Sequence, residues 1–147
     1  MSETPLLRLG GEPILQVEGV VKRFGGFTAL DGIDLALAPG ERLGLIGPNG
    51  SGKTTLINCI AGTLIADAGA IRFRGQEITR LSAHRRTGLG IARSFQIPRP
   101  FASMSVAENV AIPLEYVGSR QRSGGLLAEA REILALMRLD HLADTDA

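Results

Sequence analysis

A chain of 147 residues, 44% hydrophobic and 21% charged, has the length and balance of about one globular domain with a core to bury. No apolar run approaches the roughly 18 to 20 residues of a membrane-spanning helix, and the opening "MSETPLLRLGGEPI" lacks the basic start and apolar stretch of a secretory signal, so a cytoplasmic location is expected. The single cysteine, Cys59, excludes an internal disulfide and an all-cysteine metal site, and reads as a small buried hydrophobe in a helix.

The net charge of +1 is unevenly spread: seven arginines lie between Arg72 and Arg99, against one glutamate, Glu77. Such a stripe can meet phosphate, acidic protein or lipid headgroups. A nucleic-acid platform wants interleaved aromatics, and only Phe73 and Phe95 are on offer, so a solvated or partner-facing surface is the expectation.

In chain order, Ile14–Val20 and Ile33–Ala38 alternate apolar with small or polar residues, as half-buried strands do, and "KRFGGFTALDG" between them supplies turn glycines. Arg42–Ile46 is mostly apolar and predicts a strand covered on both faces. A glycine-rich loop follows, then a helix over Lys53–Ala61 that Gly62 ends. "AIRFRGQEI" predicts a short strand with its turn, Ser82 a helix cap, and Ile91–Phe95 another strand. Beyond Pro100 the pattern turns helical. Ser105 and Glu108 have capping-box spacing, Pro113 should kink or end that helix, and "GSRQRSGG" reads as a loop. Leu126, Ala130, Ile133, Leu134 and Met137 then recur on one helical face as core.

The loop is Gly47-Pro48-Asn49-Gly50-Ser51-Gly52-Lys53-Thr54, which fits G-x-x-x-x-G-K-[ST] between a predicted strand and a predicted helix. Its glycines let the backbone turn tightly and aim N–H groups at phosphate oxygens, with the positive end of the following helix behind them. Lys53 supplies a point charge for the β and γ phosphates, the Thr54 hydroxyl a ligand for Mg²⁺, and Thr55 a contact to the α phosphate.

The wording "GPNGSGKTTL" followed by "NCIAGTLIADAGAIRFRGQEI" resembles the ATP-binding subunits of ABC transporters, from about Leu15 to the end of the chain. The resemblance implies an α/β fold: a P-loop NTPase core of ABC ATPase type with an N-terminal antiparallel β subdomain and the start of a helical subdomain, incomplete as it stands. It divides the chain into a tail (1–12), the β subdomain and P-loop core (13–101) and a partial helical subdomain (102–147). It implies ATP and Mg²⁺ as ligands, and places Phe24 where the family stacks an aromatic on adenine. In "IARSFQ" it places Gln96 beside Mg²⁺ and the attacking water, so that the implied catalytic residues are Lys53 and Gln96 and the metal ligands Thr54 and Gln96. "IPRPFASMSVAENVAIPL" is similar to the surface that meets transmembrane permease subunits, most like the ATPases of branched-chain amino acid importers, which work at the inner face of the cell membrane.

Hydrolysis in that family also needs an LSGGQ signature, an acidic residue after an apolar strand and a switch histidine, and this sequence holds none of them. His141 matches a helical connector and His84 a solvated surface. The expectation is half of a site that the family completes in a head-to-tail dimer with a second ATPase subunit, and an exposed apolar edge beside the phosphate loop. Two other readings remain at this point: a non-hydrolysing nucleotide-binding decoy or remnant, and another P-loop enzyme such as a nucleotide kinase.

Overall fold

The computed structural model describes residues 12–95, 99–116 and 124–147. Gln96, most of the tail 1–12 and most of the loop 118–125 lie outside the described residues. The chain forms two compact units, residues 1–86 and 87–147.

In the first unit, β1 (Leu15–Phe24) and β2 (Phe27–Leu37) make an antiparallel hairpin in which Phe24 pairs with Phe27 across Gly25-Gly26. A two-residue hairpin loop needs positive φ, and Gly25 supplies it at 57°. On its other edge β1 pairs antiparallel with β3 (Ala68–Phe73), which turns through Arg74 and Gly75 into β4 (Gln76–Glu77), giving the order β2-β1-β3-β4. Both Val17 and Val20 are buried although they are three apart. The register of β1 shifts between them, and a bulge of this kind is what returns a strand to the same face out of phase. Asp34 fixes it by accepting the Gly19 N–H at 2.6 Å. Leu30, Ile71 and Ile78 of the sheet region are buried with Leu56 and Cys59 of α1 (Lys53–Ala61), and a short helix, α2 (Ala83–Gly88), follows β4.

In the second unit α3 (Val106–Tyr116) and α4 (Gly125–Leu136) bury Ala107, Leu134 and Ala143, with Val106, Val110 and Leu139 packed around them. The capping box forms: Ser105 donates its N–H to the Glu108 carboxylate at 2.7 Å, and Glu108 donates its own N–H to the Ser105 hydroxyl at 3.3 Å. A short 3-10 turn, Asp140–Leu142, brings the last residues back, so that Val106 and Ala107 donate N–H bonds to Thr145 and Ala143.

Several elements differ from the sequence expectation. The predicted turn over Lys22–Gly32 shrinks to Gly25-Gly26, because the strands pair right up to the two phenylalanines. Arg42–Ile46 and Ile91–Phe95 take no strand structure. A strand exists through its ladder, and among the described residues nothing pairs with either segment; Ile46 is 99% exposed. Pro113 neither ends nor delimits α3, which runs three residues further. So near the C-terminal end it removes only the N–H that would have bonded the Asn109 carbonyl. Met137 is exposed, since α4 ends at Leu136 and its packed face rests on Ala130 and Leu134.

Candidate functional site: the phosphate loop and its helix

Gly52 caps the N-terminal end of α1 in the left-handed region at φ 87°, and Gly50 has φ 83°. A side chain at 52 would stand 2.6 Å from the Ala29 carbonyl of β2, so the close approach of loop to strand requires glycine there. Alternating backbone handedness of this kind makes a concavity of N–H groups. Asn49, Gly50, Ser51, Gly52, Lys53, Thr54 and Thr55 line a hollow of about 140 Å³. No side chain caps α1 and no acidic residue lies in its first turn, so the positive end of the helix is left facing the loop.

The Lys53 ammonium lies across the loop, donating to the Gly47 carbonyl at 2.6 Å, the Pro48 carbonyl at 2.7 Å and the Ser51 hydroxyl at 3.2 Å. All three of its donors are thus held where Gly47 and Pro48 open the motif. A Cβ at Gly47 would meet the Ser51 hydroxyl at 2.8 Å, so this glycine makes room for the same knot.

Phe24 is not among the residues lining the hollow. It stands at the hairpin end, 47% exposed, with the Lys22 ammonium 5.6 Å from its ring centre. Its strand is pinned by Asp67, whose carboxylate accepts the Arg23 N–H at 2.6 Å and the Lys22 ammonium at 3.0 Å. These two bonds, the Arg23 N–H first, hold the Asp67 carboxyl below its usual range. The hairpin and the loop meet through Ala29, two residues beyond Phe27 and so about 7 Å along the strand. The ring is half-exposed at the hairpin end rather than spent in the core.

The arginine stripe is less uniform than its sequence suggests. Arg72 bonds Glu18, Arg74 lies 5.0 Å from the Phe73 ring, and Arg93 lies 4.8 Å from the Phe95 ring. His84 and Arg85 are exposed. Arg86, which neighbouring residues gave no reason to separate from the others, is fully buried. Its guanidinium donates to four carbonyls, those of Cys59, Ile60, Thr79 and Leu81. Burial works against its charge, and burial likewise pushes the Cys59 thiol up, which leaves that thiol an inert part of the core.

Residues 30–147 match the family described as ABC transporter. A probable branched-chain amino acid transport ATP-binding protein, LivG, of Archaeoglobus fulgidus is 42% identical over 91% of this chain and 56% of its own length. A sulfate/thiosulfate import ATP-binding protein, CysA, of Bordetella pertussis is 40% identical over 88% of this chain and 36% of its own. Among solved structures, an ATP-binding cassette of an ABC transporter in its ADP conformation superposes with a TM-score of 0.79 at 38% identity, over 93% of this chain and 58% of that one. A nucleotide-free cassette superposes with a TM-score of 0.78 at the same identity. The chain therefore spans a little over half the length of its branched-chain relatives. Antiparallel β subdomain, phosphate loop and the first helices beyond it are the N-terminal part of the ABC P-loop fold, and the chain belongs to the ABC transporter ATP-binding family.

Proposed function

We propose that this chain binds Mg-ATP at residues 47–55 and forms part of an ATPase that powers solute import, with branched-chain amino acids as the cargo. One observation carries the binding reading: the Lys53 ammonium sits at the mouth of a helix whose N-terminal end no acidic side chain neutralises. A polyphosphate is the ligand such an electropositive end selects. In this reading the backbone from Gly47 to Gly52 cradles phosphate, Lys53 grips the β and γ groups, Thr55 meets the α group and Phe24 stacks on adenine. Thr54 and Gln96 hold Mg²⁺, which supplies charge neutralisation between the phosphates. Thr54 fits that task, since its hydroxyl belongs to an exposed residue lining the hollow.

The cargo reading rests on the similarity to two LivG proteins, each over 91% of the chain against 88% for CysA. The partners in this reading are transmembrane permease subunits and a second ATPase subunit in head-to-tail arrangement, which places the chain at the cytoplasmic face of a membrane. No helix among the described residues is long and apolar enough to cross one. Residues 13–101 act as the β subdomain and nucleotide core, and 102–147 as the beginning of the helical subdomain that meets the permease.

Titration calorimetry of the 147-residue chain with Mg-ATP tests the binding. Saturable uptake that Lys53→Ala removes is the expected result. Absence of uptake by the folded wild type, or uptake indifferent to Lys53, would overturn the reading.

A further inference from the structure

Nine residues separate the phosphate loop from the C-terminal end of α1, about 13 Å along its axis. That end carries partial negative charge, and a cation placed there is favourable for the helix. α1 has no basic residue in its own last turn. Arg86 supplies one from elsewhere in the chain: its Nη1 donates to the Cys59 carbonyl at 2.5 Å and the Ile60 carbonyl at 2.8 Å, both in that last turn. Nε donates to Leu81 and Nη2 to Thr79, each at 2.9 Å, so one planar group ties the helix to the segment after β4. Gly62, the left-handed residue ending α1 at φ 82°, leaves the space for this. A Cβ there would stand 2.8 Å from Nε.

The guanidinium has no carboxylate among these partners; only backbone dipoles receive it. A buried cation so compensated is expensive compared with an apolar side chain of the same size. What the charge does is act along the helix. Arg86 is 0% exposed, so solvent screens it weakly at its own end of α1, and the field that reaches the open loop end is attractive to anions.

We propose that Arg86 is a positioning residue for the nucleotide site: a buried cation at the C-terminal end of the phosphate-binding helix that strengthens its hold on polyphosphate in proportion to the ligand's charge. The inference rests on the nucleotide reading of the loop and adds to it a residue outside the motif. It sets one fixed positive charge, Arg86, at the C-terminal end of α1 and another, Lys53, at its start.

The test compares dissociation constants for ATP, ADP and AMP, all without Mg²⁺ so that negative charge rises with each phosphate, in the wild type, Arg86→Met, Arg86→Gln and Arg86→Lys, with circular dichroism to establish folding. In a neutral variant ATP affinity should fall about tenfold, ADP affinity less and AMP affinity least. Arg86→Lys, which keeps the charge but not the fork, should retain the wild-type ordering within about twofold while losing thermal stability. Gln can still donate to a carbonyl and stands in where Met fails to fold. Equal weakening of all three ligands, unchanged ATP affinity in a folded neutral variant, or melting of both neutral variants would each make Arg86 a packing residue and overturn the proposal. A wild type that binds none of the three ligands would instead overturn the nucleotide reading itself.

Discussion

Single residues at the loop are constrained from two sides, by backbone handedness and by neighbours. Gly52 combines φ 87° with a carbonyl 2.6 Å from where a Cβ would stand. Gly52→Ala should therefore cost about 1–3 kcal/mol in denaturant unfolding and shift the loop away from β2, weakening Mg-ATP binding at the same time. Asp67 shows the other kind of constraint. Its carboxyl is held low by the Arg23 N–H and the Lys22 ammonium, so its folded pKa lies below its unfolded one. Its contribution is present above the unfolded value, near 4, and is lost as pH falls through the folded value. Thermal melts taken from pH 7 down to pH 3 should show a decline below about pH 4 that Asp67→Asn makes shallower. The phosphate-loop residues were legible because a short motif fixes both identity and spacing. Arg86 was not, since an arginine between Arg85 and Thr87 carries no local mark of burial; its partners are 5 to 27 residues away. The one sequence clue was Gly62, a helix-ending glycine with no side chain to obstruct it.

Elements whose stabilisation is local were readable, and those that depend on distant partners were not. The bounds of α1 follow from glycines at both ends, and the start of α3 follows from the box of Ser105 and Glu108. Ser105→Ala should cost about 1 kcal/mol of stability to the second unit, seen as a lower denaturation midpoint with unchanged slope. The Glu108 carboxyl is held low by the Ser105 N–H, so this cap too is present above the unfolded pKa and fades in acid. Arg42–Ile46 has a strand's composition and no partner, and composition alone cannot show whether a ladder forms. In α4, Leu134 is 2% exposed between Ala107 and Ala143, and Leu134→Ala should cost about 2–5 kcal/mol by unfolding. Met137, one turn on, shares the helical spacing and lies beyond the helix end; changing it to Gln should alter stability by less than about 0.5 kcal/mol.

At the scale of the whole molecule, exposed apolar residues stand just ahead of the phosphate loop. Leu43, Leu45 and Ile46 are exposed close together on backbone that joins no ladder among the described residues, an arrangement that invites pairing with another chain. Light scattering of the 147-residue chain should show concentration-dependent association, reduced by Ile46→Lys without a change in the thermal midpoint. The hairpin glycines, the phosphate-loop motif and α1 were recognisable because they are set by short-range chemistry. The four-stranded sheet was readable as strands and not as an order, since pairing β1 between β2 and β3 is a decision made across some fifty residues.

One amide in the second unit has a reach out of proportion to its size. Asn109 accepts the Phe101 N–H at 2.8 Å through Oδ1, while its NH₂ group faces the carbonyls of Phe101, Met104 and Ser105 at 3.0–3.2 Å. Its amide offers a donor and an acceptor at once, which an aspartate carboxylate does not. Asn109→Asp would set an anion against three carbonyl oxygens, so a change of one atom in that side chain would loosen the segment from Phe101 to Ser105 that leads into α3.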